Sequence, residues 1–169
     1  MTAQQIAIVG CGYTGLRLAR EATRAGYAVV GTTRSEASLE ELEAMGAEGL
    51  DWDVLDDEVS KLRDVLGPET AVVYSIPTLY RDYVVGQEEQ ARHVAPVERV
   101  LDASVDQGAG RFIYLSSTSV YGNHDGAWVD EETPTAPSSP YGRMRRDIEE
   151  YVLGRAGAID VNVARLVGI

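Results

Sequence analysis

The sequence predicts a single α/β domain with a doubly wound parallel sheet and helices on both faces. Along the 169 residues, short apolar runs typical of buried strands alternate with amphipathic stretches of helical length. Strands that are joined through helices form right-handed crossovers, which make the strands parallel within one sheet. The apolar content of 44% is ordinary for a globular chain that is long enough to bury a core.

Strands and helices are predicted in alternating order. The predicted strands 5–9 and 71–74 are short apolar runs, and apolar residues at helical spacing can share one face of a predicted helix. The predicted strands are residues 5–9, 28–32, 49–51, 71–74, 111–116 and 161–166. The predicted helices are residues 13–25, 35–45, 59–66, 82–107 and 140–156.

Particular residues set the helix boundaries. Gly26 ends the first helix, because glycine readily adopts the backbone conformation that follows helix C-termini. Ser35 is a candidate N-cap of the second helix. Pro96 lies inside the fourth helix and predicts a kink or a late start. One face of that helix is predicted to be buried, through Val94, Val97, Leu101 and Val105.

The charge balance excludes several classes of partner. The chain has 27 acidic and 15 basic residues, a net charge of −12, and Lys61 as its only lysine. Binding to nucleic acid or to an anionic membrane needs clustered cations, so neither partner is predicted. A low lysine content with surplus carboxylate fits either a protein adapted to concentrated salt or high-GC coding.

The sequence favours a cytoplasmic location. No apolar run approaches the roughly 18 residues that a membrane span needs. The start of the chain, MTAQQIAIVG, has no basic region of the signal-peptide type. A single cysteine, Cys11, cannot form an internal disulfide, which fits a reducing compartment. His93 and His124 have no partners at metal-ligand spacing, so no metal site is predicted.

A glycine motif of the GxGxxG type joins the first predicted strand to the first helix. Gly10 permits a tight turn, Gly12 lets the backbone approach a pyrophosphate, and Gly15 allows the helix to pack closely on the strand. The N-terminus of the helix then offers free N–H groups to phosphates. The alternative is that the glycines merely turn the strand into the helix. The motif consists of Gly10, Cys11, Gly12, Tyr13, Thr14 and Gly15, and it predicts a Rossmann-like dinucleotide-binding domain over residues 1–169.

The end of the second strand favours NADP over NAD. Proteins that bind NAD usually carry Asp or Glu about 20 residues after the glycines, where it bonds the ribose 2′-hydroxyl. This chain has Thr32 and Thr33 there, followed by Arg34. Hydroxyls and a cation suit a 2′-phosphate better than a free hydroxyl. Alternatively, Arg34 is an ordinary surface residue, or it stacks on the adenine while NAD binds.

A hydroxyl cluster and a tyrosine are expected at the same edge of the sheet. Four hydroxyl residues, Ser116 to Ser119, end the fifth strand, and Tyr141 opens the next helix. An irregular stretch, 122–139, separates them and follows a strand, so it lies at the carboxyl edge where such sheets bind ligands. A hydroxyl group and a tyrosine at this edge can bind and deprotonate a sugar or alcohol hydroxyl.

The segments SSTSVYG and SPYGRMR resemble those of the extended short-chain dehydrogenases/reductases of the NAD-dependent epimerase/dehydratase type. The resemblance extends from Gly10 to Arg165. It implies that Ser117, or Thr118 beside it, is the substrate-binding hydroxyl and that Tyr141 is the catalytic acid/base.

The same resemblance implies further cofactor contacts. Asp53 and Val54, after the third strand, match the pair that contacts the adenine ring. Ser75, Ile76 and Pro77, after the fourth strand, fall where members of the family line the nicotinamide ribose.

Arg145 is the main departure from the pattern, because the family has lysine one helical turn after the tyrosine. A nearby cation lowers the pKa of a tyrosine, which is ordinarily about 10, by stabilising the phenolate. Arginine keeps the charge, but its planar guanidinium places the donors differently. Arg145 is therefore expected to support Tyr141. The alternative is that Tyr141 is a capping or packing aromatic in a non-catalytic relative.

The expected protein is an NAD(P)-dependent oxidoreductase or epimerase that moves hydride between the nicotinamide and a sugar or related hydroxyl or keto substrate, such as a nucleotide sugar. The alternative is a non-catalytic cofactor sensor or an inactive partner subunit. The resemblance also implies a homodimer paired through the long fourth and fifth helices. Members of the family continue into a substrate-binding region after the sixth strand, so a chain that ends at Ile169 is expected to be a fragment with this region largely absent. The alternative is a naturally short relative with an open active site.

Overall fold

The computed structural model describes residues 4–55, 58–77 and 87–167, with the backbone alone for 87–93. Over these residues the chain forms a six-stranded sheet. The strands are β1 (Gln5–Val9), β2 (Ala28–Thr33), β3 (Glu48–Asp51), β4 (Thr70–Tyr74), β5 (Arg111–Ser117) and β6 (Asp160–Leu166). The helices are α1 (Tyr13–Arg24), α2 (Glu36–Ala44), α3 (Ser60–Arg63), α4 (Gln87–Asp106) and α5 (Pro140–Leu153), with a 3-10 turn at Thr118–Val120.

The strand order is β3-β2-β1-β4-β5-β6, and every neighbouring pair is parallel. This order confirms the predicted doubly wound sheet. Val9, the last residue of β1, pairs with Thr32 on one side and with Tyr74 on the other. The order reverses between β1 and β4, and a crevice at the carboxyl ends of the strands forms where such a reversal occurs. The glycine motif follows β1 directly and therefore lies at this crevice.

Apolar cores cover both faces of the sheet. On one face, Phe112 packs with Leu101 of α4 and Ile148 of α5, and all three side chains are at most 1% exposed. On the other face, Ile8 packs with Leu42 of α2, and both are fully buried. Burying a side chain of this size stabilises the fold by about 1.5–3 kcal/mol. Both faces of the central strands are thus closed, so a ligand can reach the sheet only at its edges, and sheets of this kind bind ligands at the carboxyl edge.

The predicted helix boundaries agree with the structure in some places and differ in others. The Ser35 hydroxyl accepts a hydrogen bond from the Ser38 N–H, which confirms the predicted N-cap. Gly26 has φ of 89°, as the predicted end of α1 requires. The helix α4 begins at Gln87 among the described residues and runs through Pro96, so the proline does not mark its start. The predicted first turn, 82–86, lies outside the described residues.

Two predicted helices were too long. The third ends at Arg63 rather than at residue 66. The N–H groups of Val65 and Leu66 bond carbonyls only three residues earlier in the chain, and Gly67 and Pro68 follow. The fifth ends at Leu153 rather than at residue 156, since Gly154 occupies its C-cap. No helix among the described residues is both long enough and apolar enough to span a bilayer.

Candidate functional site at the carboxyl edge of the sheet

The three motif glycines lie in different surroundings. A Cβ on Gly10, whose φ is 99°, would lie 2.5 Å from Cγ1 of Ile76. A Cβ on Gly15 would lie 2.3 Å from the carbonyl oxygen of Gly10, so α1 packs directly on the turn. A Cβ on Gly12 would meet no atom within 4 Å. Close packing therefore explains Gly10 and Gly15, and Gly12 borders the open space that a pyrophosphate requires.

Thr32 anchors the glycine turn to β2. The Gly10 N–H donates to the Thr32 Oγ1 at 3.0 Å, and the Cys11 N–H donates to the Thr32 carbonyl at 2.7 Å. The Thr32 side chain is 2% exposed. The sequence predicts a hydroxyl of Thr32 near a 2′-phosphate, but in the structure this hydroxyl accepts a hydrogen bond from the glycine turn.

The remaining motif residues lie on opposite sides of the turn. Cys11 is 1% exposed, its thiol is directed toward the Ile8 carbonyl at 3.8 Å, and burial raises its pKa to about 12. Its side chain therefore fills the core, as expected for a small turn residue. Tyr13 is 67% exposed and lies under the Arg17 guanidinium, 3.5 Å from its ring centre, while Thr14 is half-buried.

Arg34 and Asp53, both predicted to contact the adenosine part of the cofactor, form an ion pair with each other. The Arg34 Nη1 lies 2.9 Å from the Asp53 Oδ2, and the Leu55 N–H donates to the Asp53 Oδ1 at 2.9 Å. Partial burial acts to raise the pKa of Asp53, but the hydrogen bonds from Leu55 and Arg34 outweigh it and hold that pKa below its usual value. The Thr33 hydroxyl accepts from the Ser35 N–H at 3.2 Å. Arg34 is thus already neutralised by a carboxylate.

The residues after β3 and β4 close the crevice. Val54 is buried, and its carbonyl accepts a hydrogen bond from the Arg99 guanidinium of α4. The Ser75 N–H donates to the Val9 carbonyl at 2.8 Å, which holds the end of β4 beside the glycine turn. Ile76 is half-buried and Pro77 is exposed. Ser75, Ile76 and Pro77 thus follow β4 beside the glycine turn, and the resemblance assigns them to the nicotinamide ribose, whereas it assigns Val54 to the adenine.

The first turn of α5 lies against the hydroxyl turn after β5. The Ser117 Oγ accepts from the Ser119 N–H at 3.2 Å and caps the 3-10 turn. The Ser139 Oγ accepts from the Gly142 N–H at 3.0 Å and caps α5. A Cβ on Gly142 would lie 2.5 Å from the Ser119 carbonyl oxygen, so the two turns are in backbone contact. This contact brings Tyr141, which is half-buried against the larger core, to the edge that carries Ser117.

Arg145 lies near the buried phenol of Tyr114. Arg145 is half-buried on α5, one turn after Tyr141. Burial raises the pKa of Tyr114 to about 12, although the positive charge of Arg145 opposes the shift. The Tyr114 ring packs on that of Tyr74 with 6.2 Å between the ring centres. The cation that replaces the usual lysine therefore lies close enough to β5 to act on the Tyr114 phenol.

A buried polar network below this edge was not predicted. Glu149 of α5 is 2% exposed and forms an ion pair with Arg165 of β6, with 2.9 Å between Oε2 and Nη2. The Ser116 hydroxyl donates to the Glu149 Oε1 at 2.5 Å. One signal was available in the sequence, because Glu149 follows Arg145 by four residues and therefore shares its helix face. Among the described side chains, no three of His, Cys, Asp or Glu come together as a metal site requires.

Comparisons with known proteins identify the family of this chain. The chain matches the family described as "NAD dependent epimerase/dehydratase family" over residues 6–167. Protein YeeZ of Escherichia coli (strain K12) is 30% identical over 171 residues, which cover 98% of this chain and 59% of YeeZ. A dTDP-glucose 4,6-dehydratase of Streptomyces niveus is 29% identical over 118 residues, which cover 67% of this chain and 34% of that enzyme.

Solved structures show the same fold. A functionally unknown conserved protein from Silicibacter pomeroyi DSS superposes with a TM-score of 0.70 at 30% identity, covering 98% of this chain and 53% of that chain. A short-chain dehydrogenase/reductase superfamily protein from Agrobacterium tumefaciens, solved with bound NAD, gives a TM-score of 0.72 at 25% identity, over 95% of this chain and 48% of that chain. This chain thus spans about half the length of these two solved structures. It belongs to the NAD-dependent epimerase/dehydratase family.

Proposed function

We propose that this protein is an NAD(P)-dependent oxidoreductase or epimerase that acts on a nucleotide sugar or a related hydroxyl or keto compound. Membership of the family supports a sugar-modifying enzyme that depends on NAD. The observation that carries the proposal is the backbone contact between Gly142 and Ser119, which brings the turns that carry Tyr141 and Ser117 together at the carboxyl edge.

The residues of the crevice fit a dinucleotide. Gly12 leaves open space beside the N-terminus of α1, whose free N–H groups suit a pyrophosphate. Asp53 and Val54 would line the adenine, while Ser75, Ile76 and Pro77 would line the nicotinamide ribose. When bound, the nicotinamide supplies the hydride acceptor or donor.

A preference for NADP stays a proposal that depends on Arg34. The guanidinium is about two-thirds exposed and can move, but it pairs with Asp53. A 2′-phosphate would have to replace the carboxylate as the partner of Arg34. The choice between the two cofactors is therefore a competition between two anions for one cation.

The proposed chemistry needs one proton transfer from the protein. Tyr141 would take a proton from the substrate hydroxyl or return it, and Ser117 would hold the reacting oxygen through a hydrogen bond. An ordinary tyrosine has a pKa of about 10, so near neutral pH the phenolate needs a cation beside it. Arg145 is the cation on the same face of α5.

Tyr141→Phe tests the proposal in the protein expressed at its full natural length. Turnover of a panel of UDP- and dTDP-hexoses with NAD and NADP would be measured, together with NADH and NADPH binding. We expect Tyr141→Phe to lower kcat by about a hundredfold or more while cofactor affinity stays within about twofold, because general acid–base catalysis contributes about 10²–10⁴-fold. Tyr27→Phe, which removes the hydroxyl of an exposed tyrosine between α1 and β2, is the matched control.

Arg145 favours a second candidate function, that of a non-catalytic cofactor sensor. Arg145→Lys separates the two functions. If the protein is an enzyme, the parent protein turns over a member of the panel, and Arg145→Lys changes the pH dependence of that turnover. If the parent protein and Arg145→Lys both bind NADH tightly but turn over no member of the panel, the protein is a cofactor sensor and not an enzyme.

A further inference from the structure

Glu149 is a carboxylate held in a nearly dry site by directional contacts. Arg165 donates to both of its oxygens, through Nε at 3.2 and 3.3 Å and through Nη2 at 2.9 Å. The Ser116 hydroxyl supplies a further donor. Desolvation offsets much of the attraction in a buried ion pair, so such a pair contributes little net stability compared with apolar packing. Its distinctive property is that it fixes the relative positions of the groups that it joins.

The ion pair joins the two elements that carry the proposed reacting groups. Tyr141, Arg145 and Glu149 follow one another at intervals of four residues, so they lie along one face of α5. On the strand side, Ser116 directly precedes Ser117. The contact between Glu149 and Ser116 therefore ties α5 to the end of β5, two helical turns beyond Tyr141.

The network extends from Arg165 to the segment after β5. The Arg165 Nη1 donates to the Tyr121 hydroxyl at 2.8 Å, and its guanidinium lies 4.8 Å from the centre of that ring. The Tyr121 hydroxyl in turn donates to the Asp130 carbonyl at 2.7 Å. The Arg165 guanidinium therefore bonds Glu149 of α5 and the Tyr121 hydroxyl at the same time. Through Tyr121 it also fixes the start of the irregular stretch, 122–139.

We propose that Glu149 and Arg165 are positioning residues that set the register of α5 against β5 and thereby the placement of Tyr141 relative to Ser117; this inference rests on the proposed function. Apolar packing alone tolerates small shifts of a helix along a strand. A carboxylate with donors from both β5 and β6 does not, because a shift would leave a buried charge without its partners. Groups that react must be held closely, since a displacement of about 1 Å can lower a rate by roughly a hundredfold.

Glu149→Gln tests the proposal in the protein at its full natural length, because it keeps the shape of the side chain and removes the charge. The measurements are kcat, KM for the cofactor, and amide hydrogen exchange of residues 117–122 and 140–146. We expect kcat to fall by about ten- to a hundredfold, KM for the cofactor to stay within about twofold, and exchange to become faster in both segments. Arg165→Lys should behave alike, since an ammonium cannot reproduce the planar fork that bonds Glu149 and Tyr121 together.

Val152→Ala is the control for stability alone. Val152 is a fully buried residue of the same helix, and it lies outside the network. Its loss should lower the melting temperature while kcat, measured well below that temperature, stays within about twofold. If Val152→Ala lowers kcat as much as Glu149→Gln, the network is merely structural and the proposal is wrong.

The failure of this inference and the failure of the proposed function give different results. Unchanged kcat and unchanged exchange in both Glu149→Gln and Arg165→Lys would overturn the positioning role. If Tyr141→Phe leaves turnover intact, the proposed function fails, whereas the exchange of residues 117–122 and 140–146 still reports whether the network sets the register. Should Glu149→Gln not fold, Arg165→Lys supplies the same comparison with the charge retained.

Discussion

The proposed choice between NAD and NADP depends on one contact, the ion pair of Arg34 and Asp53. The sequence shows the arginine as a cation available to a 2′-phosphate, and the structure shows a carboxylate 2.9 Å from it. The pKa of Asp53 is held below its usual value, so near neutral pH the carboxylate is charged and competes for Arg34. A phosphate brought to this position would also lie near a negative charge.

Asp53→Asn is expected to shift the cofactor preference toward NADPH. The substitution removes the competing anion and leaves Arg34 to the 2′-phosphate. We expect the ratio of the NADH and NADPH dissociation constants to change by roughly tenfold in favour of NADPH, which corresponds to about 1.4 kcal/mol. Titration by calorimetry or by fluorescence would measure both constants.

The ratio is the informative quantity, because Asp53 is also proposed to contact the adenine and its loss can weaken both cofactors together. Arg34→Ala should weaken NADPH more than NADH. Arg63→Ala, at another exposed ion pair, should change neither. If the ratio of the NADH and NADPH dissociation constants is unchanged in both Asp53→Asn and Arg34→Ala, the ion pair does not determine the choice of cofactor.

At the residue scale, Ser117 and Tyr141 could be proposed as reacting side chains from the sequence, because each belongs to a local motif. The buried side chains beneath them could not be proposed in this way. Glu149 appears in the sequence as one of two adjacent glutamates, and only the packing of α5 on β5 makes it buried while Glu150 stays exposed. Thr32 likewise required the register of β1 and β2, which places its hydroxyl beside the Gly10 N–H.

At the element scale, the two glycines at the junction of β1 and α1 have different roles, since Gly15 is needed for packing and Gly12 is proposed to be needed for cofactor binding. A Cβ at Gly15 would lie 2.3 Å from a backbone oxygen, which cannot move aside as a flexible side chain does. A Cβ at Gly12 would meet nothing within 4 Å, and the φ of −87° suits other residues as well. The two glycines of one motif should therefore fail in different ways when substituted.

Gly12→Ala is expected to fold normally and to lose cofactor affinity, because its methyl group would occupy the space next to the pyrophosphate. Gly15→Ala is expected to lower the stability by about 1–3 kcal/mol, since α1 must move away from the turn. Thermal unfolding without cofactor and NADH titration would measure the two effects. A stable Gly15→Ala, or a Gly12→Ala that binds NADH as the parent does, would contradict this account.

The order of elements was predictable because the central strands β1 (QIAIV) and β4 (TAVVY) are apolar runs, which a parallel sheet covered on both faces requires. The edge strands β3 (EGLD) and β6 (DVNVARL) are more polar and less buried. The lengths of the helices were less predictable. The third helix stops after one turn because Gly67 and Pro68 end it, although its apolar spacing continues to Leu66. The backbone contact at Gly142 depends on how α5 meets the turn after β5, and no spacing within one element reveals such a contact.

At the scale of the whole molecule, the carboxylates outnumber the cations, so ion pairs cannot neutralise all of them. The net charge is −12, and ion pairs across the described surface, such as Arg20 with Glu41 and Arg111 with Asp160, neutralise only local regions. Exposed pairs contribute little, with a median of about 0–1 kcal/mol. The repulsion among the remaining carboxylates acts over the whole surface and opposes the compact state.

Salt is therefore expected to stabilise the protein. The Debye length falls from about 30 Å at 0.01 M to about 3 Å at 1 M, so added NaCl screens the repulsion across the molecule. The buried pair of Glu149 and Arg165 should be screened much less than exposed pairs. We expect screening to stabilise the protein by about 1 kcal/mol between 10 mM and 1 M NaCl. The melting temperature, measured by circular dichroism or calorimetry, should then rise by about 2–4 °C in a domain of this size.

Potassium chloride at the same ionic strength separates screening from specific binding of sodium. Equal rises in the two salts would be the result of screening, because screening depends on ionic strength alone. A melting temperature that falls as salt is added would mean that the exposed ion pairs outweigh the repulsion. The acid surplus would then have no role in stability, and high-GC coding would remain the better account of a chain with a single lysine.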